Sequence, residues 1–156
     1  MTTGQAIVKS LRCHDVDTIF GLPGIQLDYL FNAFHDEGNS LRIVHPRHEQ
    51  AAGYMALGYA QATGRVGVFA VVPGPGLLNA TAAVATAYAC NAPVLALTGQ
   101  IPSTAIGKGY GLLHEIPDQL GLIRTLVKWA ARIEHVSEAS SLVREAFSQL
   151  ASGVTK

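Results

Sequence analysis

Three short stretches of this chain hold residues whose types and spacing could do chemistry. The first is His45-Pro46-Arg47-His48-Glu49. Glu49 is the only acidic residue between Glu37 and Glu115, and it opens a run of small residues: Ala51, Ala52, Gly53, Ala56, Gly58 and Ala60. A carboxylate in a helix's first turn faces the positive end of the helix dipole, which is worth about 0.3–1 kcal/mol. That reading is purely structural. Against it, other backbones can approach so small a helix closely and the helix has almost no solvated face, so Glu49 does not read as a surface charge.

The second stretch is Pro73-Gly74-Pro75-Gly76-Leu77-Leu78-Asn79, which follows an apolar run. Backbone amides at such a helix start can hold an anion. The structural alternative is a tight turn that needs glycine, with Asn79 bonding nearby backbone. A dinucleotide site does not fit. Asn79 stands where the third small residue of that fingerprint belongs, and no acid follows near Leu95 to hold a ribose. The lysine of a phosphate-binding P-loop is missing as well. The third stretch, Phe20-Gly21-Leu22-Pro23-Gly24, is a turn by composition.

These stretches need elements to carry them. Apolar spacing predicts helices over Thr3–Arg12, Gln26–His35, Glu49 to about Thr63, about Leu77–Cys90 and about Ser137–Ala151. Strands are expected at Asp17–Phe20, Leu41–Val44, Val66–Val72, Pro93–Thr98 and near Thr125–Ile133, with residues 101–117 as loop. The alternation predicts an α/β fold, an open parallel sheet of about five to six strands with helices on both faces, in three layers. Ligands of such folds gather at the carboxyl ends of the strands. Gly21–Gly24, Pro46–Glu49, Pro73–Gly76 and Gly99-Gln100 all fall there.

Composition narrows the class. A chain of 156 residues with 49% hydrophobic and 14% charged side chains is a single globular domain with a thinly charged surface. Net charge is zero, which excludes an electrostatic case for nucleic acid or an anionic membrane. No charge occurs between Arg65 and Lys108, yet Pro73, Gly74, Pro75, Gly76 and Pro93 break every apolar run long enough to span a bilayer. Burial against protein is the better reading, so a partner should cover part of the surface. Lys9 and Arg12 interrupt the apolar start, which argues against a signal peptide and for a cytoplasmic address. Cys13 and Cys90 have no metal or redox spacing, and Cys90 reads as a plain buried thiol. Tyr54, Met55 and Tyr59 read as packing residues, and Trp129 as a strand anchor.

The three motifs, in this order, resemble the N-terminal, pyrimidine-binding domain of thiamine-diphosphate-dependent 2-oxo acid decarboxylases and carboligases of the acetolactate synthase and benzoylformate decarboxylase type. The resemblance runs from about Thr3 to Gly153. It implies a catalytic Glu49, whose carboxyl hydrogen-bonds N1′ of the cofactor's aminopyrimidine and favours its imino tautomer. It places Pro23, Gly24, Glu49, Pro73, Gly74, Pro75, Gly76 and Asn79 beside the cofactor, and Gly21, Leu22, Gln100 and His114 beside the substrate. Where acetolactate synthases carry Phe-Gln-Glu, this chain has Leu113-His114-Glu115. A histidine there resembles decarboxylases, in which it assists proton transfer; a solvated loop histidine is the competing reading.

The resemblance further implies thiamine diphosphate as cofactor, with Mg2+ held by a diphosphate-binding domain that is not in this chain. No metal ligand is expected among these residues. The middle and diphosphate-binding domains are absent, so residues 1–156 form one domain, a fragment or subunit inactive alone. Its partners would be a second copy, as a homodimer or higher oligomer, a diphosphate-binding domain of the same or another chain, and a small 2-oxo acid. A non-catalytic interaction or regulatory domain that kept the fold is the alternative.

Overall fold

The second residue commits the chain to a helix. Thr2 Oγ1 accepts the Gln5 amide at 3.2 Å, and the Gln5 side chain accepts the Thr2 amide at 2.9 Å. This reciprocal cap satisfies two otherwise orphaned donors. The computed structural model describes residues 1–152. In chain order the elements are α1 (Thr3–Cys13), β1 (Thr18–Gly21), α2 (Asp28–Asp36), β2 (Arg42–Val44), α3 (Glu49–Thr63), β3 (Gly67–Val71), α4 (Pro75–Ala89), β4 (Val94–Thr98), α5 (Gln119–Arg124) and α6 (Ala139–Ala151). Short 3₁₀ turns at Ile25–Leu27, Gly38–Ser40, Ser103–Ala105 and Val136–Glu138 join them.

Every strand pair is parallel, in the order β2-β1-β3-β4. The chain leaves β1 towards β2 and then crosses back to β3 on β1's other side. The strand order therefore reverses between β1 and β3, and the crevice at their carboxyl ends is where such folds bind ligands. β3 is buried throughout. Val68, Ala70 and Val72 enter the core built with α1, α2 and α6, whose centre is Val8, Leu11, Leu30 and Phe34. Phe69 and Val71 enter the core on the opposite face, with Ala52 and Ala56 of α3 and Leu77 and Ala80 of α4. A strand covered on both faces has no polar positions to offer, which is why residues 66–72 read as continuous hydrophobicity.

The α/β class and the two helix layers stand as expected, but the sheet has four strands among the described residues, not five to six. No strand forms at 125–133. Instead, residues 127–133 face β4 across an apolar groove of about 470 Å3, so the two segments share no ladder of hydrogen bonds. Trp129 lines that groove rather than anchoring a strand. Cys90 is exposed, not buried: α4 ends at Ala89, and Tyr88, Ala89 and Cys90 all lie past its last core residue, Ala87. Tyr54 and Met55 are each 41% exposed on the outer face of α3, so their packing is incomplete in a single chain. Tyr59 does pack, and its hydroxyl donates to Asp17 at 3.1 Å. The end of the family resemblance, at Gly153, lies outside the described residues.

Asp17 ties the amino-terminal end of the sheet together. It accepts from Arg65 Nη1 at 2.7 Å and from Thr18 Oγ1 at 2.9 Å, as well as from Tyr59. The Arg65 hydrogen bond leads in holding the Asp17 carboxyl below its usual range. A depressed pKa means stability that is present above the unfolded value of about 3.9 and lost as pH falls through the lower folded value. The two side chains are 44% and 46% exposed, so water screens the pair and its worth is about 1 kcal/mol or less. Asp17→Asn should cost that much in urea unfolding at pH 7, shrinking to nothing as pH is lowered towards 2. A cost independent of pH would assign the effect to packing instead.

Candidate active site

Pro46 ends the extended run after β2, and His48 starts α3 by accepting the Gln50 amide on Nδ1 at 3.1 Å. Glu49 is therefore the first helical residue, at the carboxyl end of the sheet. Its half-buried side chain reaches across to the first two turns of α4. There Oε2 accepts from Asn79 Nδ2 at 3.0 Å. Oε1 lies 3.6 Å from where a Cβ on Gly76 would sit. The first turn of α4 has no acid of its own, and Gly74 gives it no side-chain cap. Glu49 is thus the acidic side chain at the starts of both helices.

Oε1 accepts no hydrogen bond among the described residues. A free carboxylate oxygen beside a residue with no side chain suits the edge of a planar nitrogen heterocycle, whose ring nitrogen can share or receive a proton. The residues present therefore fit an aminopyrimidine. Val72 joins this part of the site to the Gly21–Gly24 turn, because its two methyl groups fill the positions where Cβ atoms on Gly24 and Gly76 would stand. The Leu22 amide extends the β1–β3 pairing to Ala70 O at 3.1 Å, and His45 Nδ1 lies 2.9 Å from Gly21 O. Glu49, Asn79, Gly76, Gly24 and Gly21 are thus gathered at the β1–β3 crevice. Pro23 and Pro75 are exposed beside them, whereas Pro73 is fully buried.

A second cluster stands at the ends of β3 and β4. His114 has φ +67° and lays its backbone carbonyl against Gly74. Its Nδ1 is 2.8 Å from Gln26 Oε1, while Gln26 Nε2 donates to Leu113 O at 3.1 Å. That second bond orients the amide, so Nδ1 carries the proton and Nε2 of the neutral ring is left as an acceptor. His114 is therefore held by a specific partner rather than loose in solvent, and no hydrogen bond joins it to Glu49 among the described residues. Gln100 turns onto its own loop, accepting the Ile101 amide at 2.8 Å.

Sequence reasoning missed two residues here, Gln26 and Gln119. Gln119, 7% exposed, accepts the Gly74 amide at 2.8 Å and donates to Gly99 O at 3.0 Å. Asp118 in front of it is a helix N-cap and could have marked the start of α5. No pattern in the sequence marks Gln119 itself as buried. Among the described residues no group of three or more His, Cys, Asp or Glu side chains could hold a metal ion, and no helix is long and apolar enough to cross a membrane.

An open parallel sheet with a half-free carboxylate at its switch point is the layout of an α/β ligand-binding domain. Residues 1–122 match the family described as thiamine pyrophosphate enzyme, N-terminal TPP binding domain, and the chain belongs to that family. It is 37% identical over 147 residues to a probable 2-ketoarginine decarboxylase of Pseudomonas aeruginosa, covering 94% of this chain and 26% of that protein. Against the mitochondrial acetolactate synthase catalytic subunit of Saccharomyces cerevisiae it is 37% identical over 153 residues, 98% of this chain and 22% of the relative. A probable acetolactate synthase large subunit of Methanocaldococcus jannaschii is 40% identical over 147 residues, 94% of this chain and 24% of the relative. The chain spans about a quarter of the length of these relatives.

Proposed function

We propose that this chain is the pyrimidine-binding part of a thiamine-diphosphate-dependent enzyme that decarboxylates 2-oxo acids, joins them to a second carbonyl, or does both. The observation that carries the reading is Glu49, with Oε2 fixed by Asn79 and Oε1 free in the β1–β3 crevice. The cofactor, when bound, supplies the carbon nucleophile and the electron sink that carbon–carbon bond cleavage requires.

The rest of the chemistry is the protein's. Glu49 holds and exchanges a proton at N1′ of the aminopyrimidine through Oε1. Asn79 keeps that oxygen aimed by holding the other one. Gly76 lets Val72 and the Glu49 carboxyl pack close to the start of α4, and Pro23, Gly24, Pro73, Gly74 and Pro75 form the turns on either side. Gly21, Leu22 and Gln100 border the substrate, and His114 Nε2 accepts or returns a proton there. The diphosphate and Mg2+ are held by a domain outside residues 1–156, which themselves act as a single domain. We place the enzyme in the cytoplasm.

A second copy of the chain is the expected partner. The outer face of α3 and α4 exposes Tyr54, Met55, Leu78 and Tyr88, an apolar surface that a dimer would cover. Sedimentation of the chain at micromolar concentration should show more than a monomer. Calorimetric titration with thiamine diphosphate and Mg2+ should give binding weaker than micromolar, about −8 kcal/mol, because the anchor for the charged end is elsewhere. Micromolar affinity for the chain alone would contradict that division of labour.

A further inference from the structure

The geometry points to Gln119 as a positioning residue that sets the stance of Glu49 by clasping two strand-end turns from behind. This inference rests on the reading of Glu49 just given.

Among the described residues, Ser10 and Gln119 are the polar side chains that are buried. Ser10 bonds its own helix, to Ala6 O at 2.8 Å, and meets Ser140 of α6 with the two Oγ atoms 3.0 Å apart, so it serves helix packing away from the sheet's carboxyl ends. Gln119 does something else. One amide spans two turns of the chain: Oε1 takes the Gly74 N–H after β3, and Nε2 gives to Gly99 O after β4. A buried amide with its acceptor and a donor both committed fixes the relative position of those turns, since losing either bond leaves a buried polar group unpaired.

The clasp matters because of the helix that begins at Gly74. Gly74 adopts φ +57° and ψ −119°, a conformation open essentially to glycine alone, and it is the residue from which α4 starts. Within the first turns of α4 stand Gly76, which faces Glu49 Oε1, and Asn79, which holds Glu49 Oε2. No side chain of the turn caps α4 at this end. The Gly74 amide bond to Gln119 is thus the side-chain restraint that fixes where α4 begins, and with it the two contacts that aim Glu49. On the other side, the Gly99 turn packs against Pro73 and Gln26, and Gln26 fixes the tautomer of His114. Both polar ends of the Gln119 side chain are taken up by backbone groups. Gln119 acts through Gly74 on Glu49.

The test pairs the isolated chain with the assembled enzyme. In the chain alone, Gln119→Met keeps the side-chain length and removes both bonds. The Gly74 amide resonance should move and the Asn79 side-chain amide resonances should move with it, although Asn79 is not in contact with residue 119. In the assembled enzyme, kcat should fall by about 10- to 10²-fold, as expected for a displaced catalytic group, with a much smaller change in KM for the 2-oxo acid. Gln119→Glu provides a second route should the methionine variant not fold. Its carboxyl accepts from Gly74 at any pH but can donate to Gly99 O only when protonated. The ratio of its kcat to that of wild type should therefore rise as pH falls, while Asp118 beside it stays committed to the Gly121 amide. Glu49→Gln is run in parallel. If that variant kept full activity, the functional reading would fail, while the resonances of Asn79 would still decide the positioning claim. Unmoved Asn79 resonances, or a Gln119→Glu ratio flat with pH, would overturn it.

Discussion

Glu49→Gln should leave a folded chain whose assembled enzyme turns over about 10²–10⁴-fold more slowly, the usual worth of a general acid–base group. The substitution keeps size and shape. An amide oxygen can still accept from Asn79 as Glu49 Oε2 does at 3.0 Å. What disappears is the titratable proton, and with it the negative charge facing the starts of α3 and α4. The dipole part of that loss is about 1 kcal/mol of stability at most. The two readings of Glu49 weighed from the sequence therefore separate cleanly. A purely structural glutamate predicts a slightly lower melting temperature and unchanged turnover of the 2-oxo acid. A catalytic one predicts nearly normal melting and a collapse of kcat.

Gly67→Ala should be the most damaging single change to the fold itself. Gly67 is buried at the start of β3, and a Cβ there would collide with the backbone carbonyl of Ala56 in α3. Neither side can yield easily. The Gly67 amide is bonded to Pro93 O at 3.0 Å, residue 67 is registered against Val94, and Ala56 lies in the middle of a fifteen-residue helix packed on the sheet. Overpacking against backbone in such a place costs about 3 kcal/mol or more, a large fraction of the roughly 5–15 kcal/mol that folded domains of this size usually have. Gly58→Ala, on the exposed side of the same helix with open space around its Cβ position, should instead stabilise by about 0.5–1 kcal/mol. Urea unfolding of the two variants side by side checks both signs. Equal effects would mean that α3 packs less closely on β3 than the Gly67–Ala56 approach requires.

The layout of β1 to β4 and α1 to α4 was readable because each element has its own period and its own punctuation. Pro46 and Gly64 bracket α3, and β3 declares its double burial by lacking any polar position. Glu49 could be placed at a helix start for the same reason. Its hydrogen bond to Asn79 could not be read, because the partners are thirty positions apart and only the close approach of α3 and α4 brings them together. The expected strand at 125–133 failed for a related reason. β-branched and aromatic residues mark what could pair, but a strand exists only where a neighbour lies within hydrogen-bonding distance. Cys90 misled in the same way: of the apolar residues just before it only Ala87 is buried, and Tyr88, Ala89 and Cys90 at the helix end are all exposed. Gln119 carried no signal at all. Its burial depends on two turns, after β3 and β4, that meet only in the folded chain.

The role of Glu49 is read most closely from the exchange of the C2 proton of bound thiamine diphosphate with deuterium in the assembled enzyme, comparing wild type with Glu49→Gln. Exchange in the variant should slow by about 10²-fold or more while the protein melts close to the wild-type temperature. Exchange as fast as in wild type would show that Glu49 does not act on the aminopyrimidine.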